Sequence, residues 1–312
     1  MARKKRKGRN LWPLLYGIFL TGYAVFTLLD AFVFPSRLVS WEQIPAEDPP
    51  AGPSAEGPSE QEVISGEPVV TEDNYTSDAI TITIQASEQY DTRIYVADIV
   101  LRDASYLRTA VANGTFGRNV QALTSEMAEE NNAILAVNGD YYGFRDRGFV
   151  MRQGYLYRDT AQRGTDHEDL VIYEDGRLEI VNESQSDAVA LAESGAAQIF
   201  SFGPGLIQDG EITVTETSEV EQAMRSNPRT AIGQIGPLHY VLVVSDGRSA
   251  ESVGLSLLEL AQVMSELGCR TAYNLAGGGS STMWFMGKII NHPTSGRRDG
   301  ERSVSDIVYV GE

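Results

Sequence analysis

The sequence predicts an α+β domain with a mixed β-sheet core and flanking helices. From residue 79 onward, apolar and polar residues alternate with the two-residue period of half-buried strands. Two stretches, residues 120–131 and 255–267, instead repeat their apolar residues at helical spacing. Residues 133–137 are wholly apolar, which indicates a short strand covered on both faces. Many strands with few helices are typical of the α+β class.

An apolar run at residues 11–34 precedes this domain and predicts one transmembrane helix. As a helix the run would be about 36 Å long, enough to cross a hydrocarbon core of about 30 Å. Six Arg and Lys residues within residues 1–10 favour a cytoplasmic N-terminal tail. A cleaved signal peptide is the alternative, but the run is long for one and no small-x-small site closes it. We therefore expect a single-pass signal anchor in the cell membrane, with the rest of the chain extracytoplasmic.

Residues 35–78 form the predicted linker between this anchor and the domain at residues 79–312. The segment is rich in Pro and Glu and contains few large apolar residues. Such a composition buries too little surface to offset the entropy of the chain, so we expect an extended, flexible stalk.

The charge balance and the cysteine count exclude some classes of function. The formal net charge is −18, and six of the positive charges belong to the N-terminal tail. An acidic domain repels nucleic acid, so we expect no nucleic-acid partner. Cys269 is the only cysteine, so the domain has no intramolecular disulfide, which suits a bacterial surface protein.

The spacing of apolar residues and the positions of turn and cap residues predict the remaining strands and the ends of the second helix. Ser256 is a candidate N-cap for the second helix, and Gly268 is a candidate for its C-terminal end. The predicted strands and hairpins lie at residues 79–86, 92–101, 133–137, 149–157, 170–181, 230–235, 239–245 and 271–275.

A glycine loop follows the strand at residues 271–275. Gly277, Gly278 and Gly279 precede three hydroxyl residues, Ser280, Ser281 and Thr282. Successive N–H groups on such a loop can form an anion-binding nest, and the hydroxyls add donors, so a phosphate is the expected ligand. A glycine-rich turn whose hydroxyls cap backbone groups is the alternative.

Two known loop motifs are absent from this stretch. The lysine of a nucleotide-binding P-loop is missing, and there is no G-x-S-x-G elbow. A hydrolase with Ser280 or Ser281 as nucleophile stays a rival interpretation, although His167, His239 and His292 all lie outside the motifs.

The strand at residues 133–137 leads into a second candidate site segment. Asn138 and Asp140 can bind sugar hydroxyls or a divalent cation, and the ring of Tyr141 can stack on a sugar. The alternative is a tight Asn-Gly-Asp turn with packed tyrosines. No cofactor is certain from these residues.

Charged residues also flank two later strands. Arg229 and Thr230 begin one strand after Pro228, and Asp246 and Arg248 follow another. The guanidinium fork of arginine suits phosphate or carboxylate, although a structural ion pair is the alternative. We expect Asp140, Arg229, Arg248 and Ser280 to line one rim of a sheet.

Taken together, these motifs resemble the phosphodiester glycosidase family, over roughly residues 79–312. The motifs that carry the resemblance are AVNGDYYG at 136–143, NPRTAIG at 227–233, VSDGR at 244–248, the helix at 254–268, NLAGGGSSTM at 274–283 and ERSVSD at 301–306.

The resemblance implies hydrolysis of the bond between the anomeric carbon of a sugar and a phosphate oxygen, on a surface glycan or wall polymer. Asp140, Asp246 and, more weakly, Glu301 are the candidate catalytic carboxylates. The implied substrate- and phosphate-binding residues are Asn138, Tyr141, Arg229, Thr230, Arg248, Asn274, Gly277, Gly278, Gly279, Ser280, Ser281 and Thr282.

The chain departs from the family pattern at one position. The family reads Asn-Leu-Asp-Gly-Gly-Gly-Ser, and this chain has Ala276 where that aspartate belongs. A lost catalytic carboxylate would slow or abolish turnover. A naturally inactive relative and a replacement made to trap a substrate both predict this pattern, and the intact neighbours favour the second. Ala276 also makes a non-catalytic binding module for an anionic wall polymer a rival function.

Overall fold

The computed structural model describes residues 39–40, 67–218, 226–295 and 298–312. The predicted cytoplasmic tail, the predicted transmembrane segment at 11–34 and most of the predicted linker lie outside these residues. Within the described part of the chain, no helix has the length and apolar character needed to cross a membrane.

Strands are the predominant regular elements of the domain, and helices are few. The helices are α1 (Thr124–Glu130), α2 (Ala188–Glu193) and α3 (Leu257–Glu266). The strands are β1 (Val39–Ser40), β2 (Val69–Val70), β3 (Asn74–Thr76), β4 (Ile80–Gln89), β5 (Thr92–Leu101), β6 (Leu107–Val111), β7 (Thr115–Phe116), β8 (Leu135–Asn138), β9 (Val150–Arg152), β10 (Tyr155–Arg158), β11 (Glu168–Tyr173), β12 (Leu178–Asn182), β13 (Ala196–Phe200), β14 (Gly205–Gln208), β15 (Glu211–Ile212), β16 (Arg229–Gly236), β17 (His239–Ser245), β18 (Thr271–Leu275), β19 (Met283–Phe285), β20 (Lys288–Ile289), β21 (Thr294–Ser295), β22 (Arg298–Asp299) and β23 (Asp306–Val310).

Three sheets form the core. A nine-stranded sheet has the order β15-β14-β18-β16-β17-β5-β4-β3-β2, and the two five-stranded sheets have the orders β20-β19-β8-β23-β6 and β10-β9-β13-β11-β12. The predicted α+β class, a sheet core with few helices, is therefore confirmed. The strand directions differ from the mixed sheet that we expected, because every described strand pair in these three sheets is antiparallel.

The alternation of side chains along β17 shows how the layers stack. Leu242 and Val244 face the cluster that joins the nine-stranded sheet to β8 and β23, whereas Val241 and Val243 face the cluster that contains α3. Helix α1 packs on the outer side of β8, where Met127 contacts the cluster of Ala136 and Ile307. Strand β8 is therefore covered on both faces, as its wholly apolar sequence predicted.

The predicted linker extends too far toward the domain. Strands β2 and β3 lie within residues 67–78 and pair with each other and with β4. Tyr75 is buried in the main core cluster. The folded part therefore begins before residue 79. The edge strands are held by their backbone pairing with β4 and by the burial of one large aromatic side chain.

Candidate functional site

The glycine loop lies where three strands end. Strand β18 ends at Leu275, which pairs with Thr230 at the start of β16. The next residue, Ala276, is buried; its N–H donates to the Gly139 carbonyl at 3.1 Å, just beyond the end of β8. Antiparallel pairing thus brings the start of β16 and the ends of β17 and β18 to one end of the nine-stranded sheet, and β8 joins them from a different sheet. The expectation of a single rim is wrong for Asp140, which follows β8.

Asn138 holds both ends of this loop. Its Nδ2 donates to the Ala276 carbonyl at 2.5 Å, before the glycines. Its Oδ1 accepts from the Thr282 N–H at 3.2 Å, after the hydroxyls, and from the Thr230 hydroxyl at 2.8 Å. Asn138, Thr230 and Thr282 are all buried. Asn138 and Thr230 therefore both shape the loop. Their predicted role in binding the substrate stays a prediction.

The loop backbone needs glycine at two positions. A Cβ at Gly277 would lie 2.8 Å from the Pro228 carbonyl oxygen, and Gly278 has φ +65° in a single 3-10 turn, Gly278–Ser280. The Gly278 N–H donates to the Pro228 carbonyl at 2.7 Å. The sequence therefore uses glycine to bring the loop close to the turn that begins β16.

Several polar atoms around the loop are buried and have no hydrogen-bond partner among the residues that the structure describes. They are the Ser281 hydroxyl, the Thr282 hydroxyl and Oδ1 of Asn274, whose Nδ2 donates to the Gly203 carbonyl at 2.7 Å. Buried polar groups in proteins are almost always satisfied, so such atoms indicate where a ligand or an ordered water binds. The phosphate ligand predicted for the loop is consistent with the two unpaired hydroxyls.

Two guanidinium groups lie against the loop. Arg302 Nη2 donates to the Ser280 hydroxyl at 2.5 Å and to the Gly277 carbonyl at 3.3 Å. A Cβ on Gly278 would lie 2.8 Å from Arg248 Nη2, so Arg248 covers that glycine. Burial lowers the pKa of Arg302; Tyr141 opposes this shift and Arg248 adds to it. The two cations are thus close enough to repel each other, and an anion between them would relieve the repulsion.

Arg229 occupies a different place from the one predicted. Alternation along β16 puts it on the same face as Ala231, which packs with α3, and opposite to Thr230. Its Nε donates to the Leu255 carbonyl at 2.8 Å, and only 4% of the residue is exposed. Arg302, which the sequence did not single out, is a guanidinium that does donate to the glycine loop.

Asp140 belongs to a buried ionic cluster. Arg152 Nη2 is 3.0 Å from Asp140 Oδ2 and 2.6 Å from Asp306 Oδ2, and the Asp140 N–H donates to Asp306 Oδ1. Burial opposes the charge on Arg152, but Asp306 and Asp140 outweigh it and raise its pKa. Burial raises the pKa of Asp306 to about 7, with Arg152 opposing and Asp140 adding. Asp140 is thus engaged in holding β8, β9 and β23 together, which argues against its predicted catalytic role.

Asp246 supports the loop rather than facing it. Its Oδ1 accepts from the His292 N–H at 2.8 Å and from Asn291 Nδ2 at 3.2 Å, and its Oδ2 accepts from the Tyr95 hydroxyl at 3.2 Å. Asn291 Nδ2 also donates to the Ser281 carbonyl at 3.0 Å. Burial, followed by Asp246, raises the pKa of Tyr95 to about 12. The contacts give Asp246 a positioning role through Asn291.

Glu301 is bound at the start of α1. Its two carboxylate oxygens accept from the Ser125 N–H at 3.1 Å and from the Ser125 hydroxyl at 2.5 Å. This is a helix-capping contact, so the structure does not bring the Glu301 carboxylate to the loop. The three carboxylates predicted for acid–base chemistry are therefore each engaged in structural contacts.

An aromatic flank lies beside Arg302. The rings of Tyr141 and Phe144 stack at 4.4 Å, and the Arg145 guanidinium lies 5.7 Å from the Tyr141 ring centre. Arg145 also lies 5.4 Å from the Phe202 ring and donates to the Ser201 carbonyl at 2.9 Å. Partly exposed ring faces beside hydrogen-bonding cations suit a sugar-phosphate ligand.

The divalent cation left open by the sequence has no donor set in the described residues. There, no group of three or more His, Cys, Asp or Glu side chains is arranged to hold a metal ion.

The site also contains residues that the sequence did not single out. Arg302 follows Glu301 within the ERSVSD motif, so the motif itself was the available signal. Arg145, Asn291 and Tyr95 lie outside the quoted motifs, and only the three-dimensional contacts bring them to the site.

The fold and this loop place the protein in a class. The chain belongs to the phosphodiester glycosidase family, whose sequence profile matches residues 131–311.

Two relatives are similar to this chain in sequence. The SPbeta prophage-derived uncharacterized protein YomE of Bacillus subtilis is 31% identical over 200 residues, which cover 62% of this chain and 30% of that protein. The N-acetylglucosamine-1-phosphodiester alpha-N-acetylglucosaminidase of Bos taurus is 26% identical over 231 residues, which cover 68% of this chain and 43% of the bovine enzyme. The chain thus spans less than half the length of either relative.

Solved structures agree on the fold. The catalytic domain of the zebrafish N-acetylglucosamine-1-phosphodiester alpha-N-acetylglucosaminidase matches with a TM-score of 0.61 at 19% identity, over 79% of this chain and 88% of that one. A hypothetical protein from Synechocystis matches with a TM-score of 0.53 at 17% identity, over 75% of this chain and 62% of that one.

Proposed function

We propose that this domain binds a sugar-1-phosphodiester at the glycine loop, in a site built to cleave the glycosyl–phosphate bond. The observation that carries the proposal is the loop itself: Arg302 donates to its Ser280 hydroxyl and Arg248 lies against its Gly278. In the same loop, the Ser281 and Thr282 hydroxyls are buried with no hydrogen-bond partner among the described residues. Family membership and the substrate in the bovine relative's name support the same ligand class.

The reaction breaks the bond between the anomeric carbon and a phosphate oxygen. Water supplies the new oxygen on carbon and loses a proton to a base, and the bonding electron pair stays on the phosphate. The products are a free sugar and a phosphomonoester. Because the phosphate gains negative charge as it leaves, Arg248, Arg302 and the loop donors would stabilise the transition state.

The three carboxylates predicted from the sequence do not supply this base. Asp140, Asp246 and Glu301 are all engaged elsewhere. Ala276, whose carbonyl accepts from Asn138, immediately precedes the first glycine of the loop. The family pattern has a carboxylate at this position. We infer that the chain as it stands binds this substrate and turns it over slowly.

Two alternatives make different predictions. A non-catalytic module for an anionic wall polymer is favoured by Ala276, and it requires that an aspartate there adds no turnover. A serine hydrolase requires a base beside Ser280 or Ser281, but Arg302 donates to the Ser280 hydroxyl. The three histidines have partners elsewhere, namely the Arg163 carbonyl for His167, Asp98 for His239, and Tyr95 with Asp246 for His292.

Localisation belongs to the same proposal. The basic tail at 1–10, the apolar run at 11–34 and the acidic, proline-rich linker support an anchored domain outside the cytoplasm, acting on a surface glycan or wall polymer.

Calorimetry tests the binding site without requiring turnover. We expect the chain to bind the methyl phosphodiester of N-acetylglucosamine-1-phosphate and to bind methyl N-acetylglucosaminide, which lacks the phosphate, far more weakly. Arg302→Gln should weaken phosphodiester binding by about 1.5–3 kcal/mol, which is roughly tenfold or more.

The control is Arg270→Gln. Arg270 is exposed and immediately precedes β18, at the end opposite to the loop. Equal affinity for the phosphodiester and the phosphate-free sugar would remove the phosphate from the proposed site.

A further inference from the structure

A third guanidinium group, that of Arg145, lies in the aromatic flank that adjoins the glycine loop. Arg302 contacts the glycine loop directly, through the Ser280 hydroxyl and the Gly277 carbonyl. Arg145 lies 5.7 Å from the ring centre of Tyr141. The Gly139 carbonyl, two residues before Tyr141, accepts from the Ala276 N–H, and the Gly203 carbonyl, next to Phe202, accepts from Asn274 Nδ2, so this aromatic flank adjoins the start of the glycine loop.

These three arginines have uncharged partners. Arg145 donates to the Ser201 carbonyl, Arg248 to Asn227 Oδ1, and Arg302 to the Ser280 hydroxyl and the Gly277 carbonyl. Among the residues that the structure describes, none of the three forms an ion pair with a carboxylate.

The composition makes this arrangement informative. The chain has 43 Asp and Glu residues against 25 Lys and Arg residues, yet none of these three arginines is ion-paired within the described residues. The acid that interacts with Arg145 is the buried Asp169; burial raises the pKa of that carboxyl and Arg145 opposes the shift. Arg248 also lowers the pKa of Arg302, after the larger effect of burial. Holding like charges together has a cost in free energy, and a bound anion would offset it.

One phosphodiester does not account for all three cations. A phosphodiester carries a single negative charge at neutral pH, and Arg248 and Arg302 already flank the loop that would hold it. The Arg145 guanidinium is instead 5.7 Å from the Tyr141 ring centre and 5.4 Å from the Phe202 ring centre. A second anionic group, displaced along the flank, would meet Arg145 there.

We propose that the flank of Tyr141, Arg145 and Phe202 is a second anion subsite, and that the ligand is a sugar-1-phosphodiester whose other substituent carries a further phosphate. The inference rests on the proposed function and adds to it the class of substrate. Two sources share this chemistry: a sugar on a pyrophosphate, and a sugar on a chain of repeated phosphodiesters.

Calorimetry with small phosphates tests the subsite on the protein as it stands. The probes are inorganic orthophosphate, inorganic pyrophosphate, in which the phosphates adjoin, and propane-1,3-diol bisphosphate, in which they are spaced. We expect at least one of the two-phosphate probes to bind about tenfold tighter than orthophosphate, as one added charge-assisted contact would give. Preference for pyrophosphate points to the first source, and preference for the spaced probe points to the second.

Variants of Arg145 assign that advantage to the subsite. Arg145→Gln should abolish the advantage and change orthophosphate affinity little, and Arg145→Lys should retain much of it. Arg270→Gln controls for the general loss of one positive charge.

The outcomes separate this inference from the proposed function. Equal affinity for orthophosphate and both two-phosphate probes, or an advantage that survives in a folded Arg145→Gln protein, would overturn the second subsite and leave the loop phosphate in place. If none of the three probes binds, the phosphate site at the glycine loop fails as well.

Discussion

The side chain of Asn138 connects the two sheets at the site. It bonds the backbone before and after the glycines and also the Thr230 hydroxyl. The carboxamide oxygen can accept two hydrogen bonds and its NH₂ group can donate two, so an apolar side chain cannot replace these contacts.

Asn138→Ala should therefore destabilise the domain. Each buried group left without a partner costs about 1–3 kcal/mol, and the substitution leaves the Ala276 carbonyl and the Thr282 N–H among them. Urea denaturation measures the loss, with Gln185→Ala, at an exposed position, as the control. A stability equal to that of the control variant would show that Asn138 does not hold the loop.

The buried carboxyl of Asp306 should give the fold a specific pH dependence. Its pKa is raised from 3.8 to about 7 in the folded state, first by burial. Between these values the folded protein keeps a proton that the unfolded chain has released. Stability should therefore fall as pH rises through this window, by at most about 1.4 kcal/mol per pH unit, and level off above it.

Asp306→Asn isolates that contribution. The stability of the unmodified protein minus that of the variant, from urea denaturation, should decrease between pH 5 and pH 7. A difference that stays flat or increases over this range would mean that Asp306 is ionised throughout within its contacts to Arg152.

At the scale of elements, helix α3 follows local rules. The Ser256 hydroxyl accepts from the Glu259 N–H at 3.2 Å, and the Glu259 carboxylate accepts from the Ser256 N–H at 2.8 Å, which completes a capping box. Gly268 follows the helix with φ +84°. Both ends had been predicted from the sequence, because caps depend on neighbours in the chain.

Ser256→Ala should lower stability by about 1 kcal/mol, the usual effect of losing an N-cap. The matched control is Ser265→Ala in the same helix, where the residue is exposed and alanine is the better helix former. Equal midpoints of urea unfolding for the two variants would contradict the role of the cap.

Strands with clear alternation or fully apolar sequences were predictable. The predicted strands at 92–101, 239–245 and 271–275 match β5, β17 and β18 residue for residue. Strand β23 was missed, although it lies between β8 and β6 and contributes Asp306. Its buried acid at the first position breaks the apolar pattern, and residues distant in the chain, the Arg152 side chain and the Asp140 N–H, accommodate that carboxyl.

The candidate loop could be recognised from the sequence, whereas the residues that contact it could not. Glycines followed by hydroxyls indicate an anion site from sequence alone, because the chemistry is contained in one segment. Which arginine reaches that segment depends on strand register and on which face a side chain takes. In this fold, Arg229 Nε donates to the Leu255 carbonyl just before α3, and Arg302 donates to the Ser280 hydroxyl.

At the scale of the whole molecule, the distribution of charge and apolar residues predicts topology. The positive tail should stay inside the cell, the run at 11–34 should cross the membrane, and the domain should lie outside. Protease added to intact cells should cut the proline-rich segment before residue 67 and release the folded domain. A domain that is degraded only after cell lysis would contradict this topology.

The central claim is that this chain has the binding site of a phosphodiester glycosidase and lacks its carboxylate. The most direct measurement is the turnover and the affinity of the methyl phosphodiester of N-acetylglucosamine-1-phosphate before and after Ala276→Asp, with Ala276→Asn as an uncharged control of similar size. We predict that Ala276→Asp raises kcat by about 10²–10⁴ with little change in affinity, since a general base acts in the transition state. Ala276→Asn should show no such gain. Equal turnover by the alanine and aspartate forms would contradict the account.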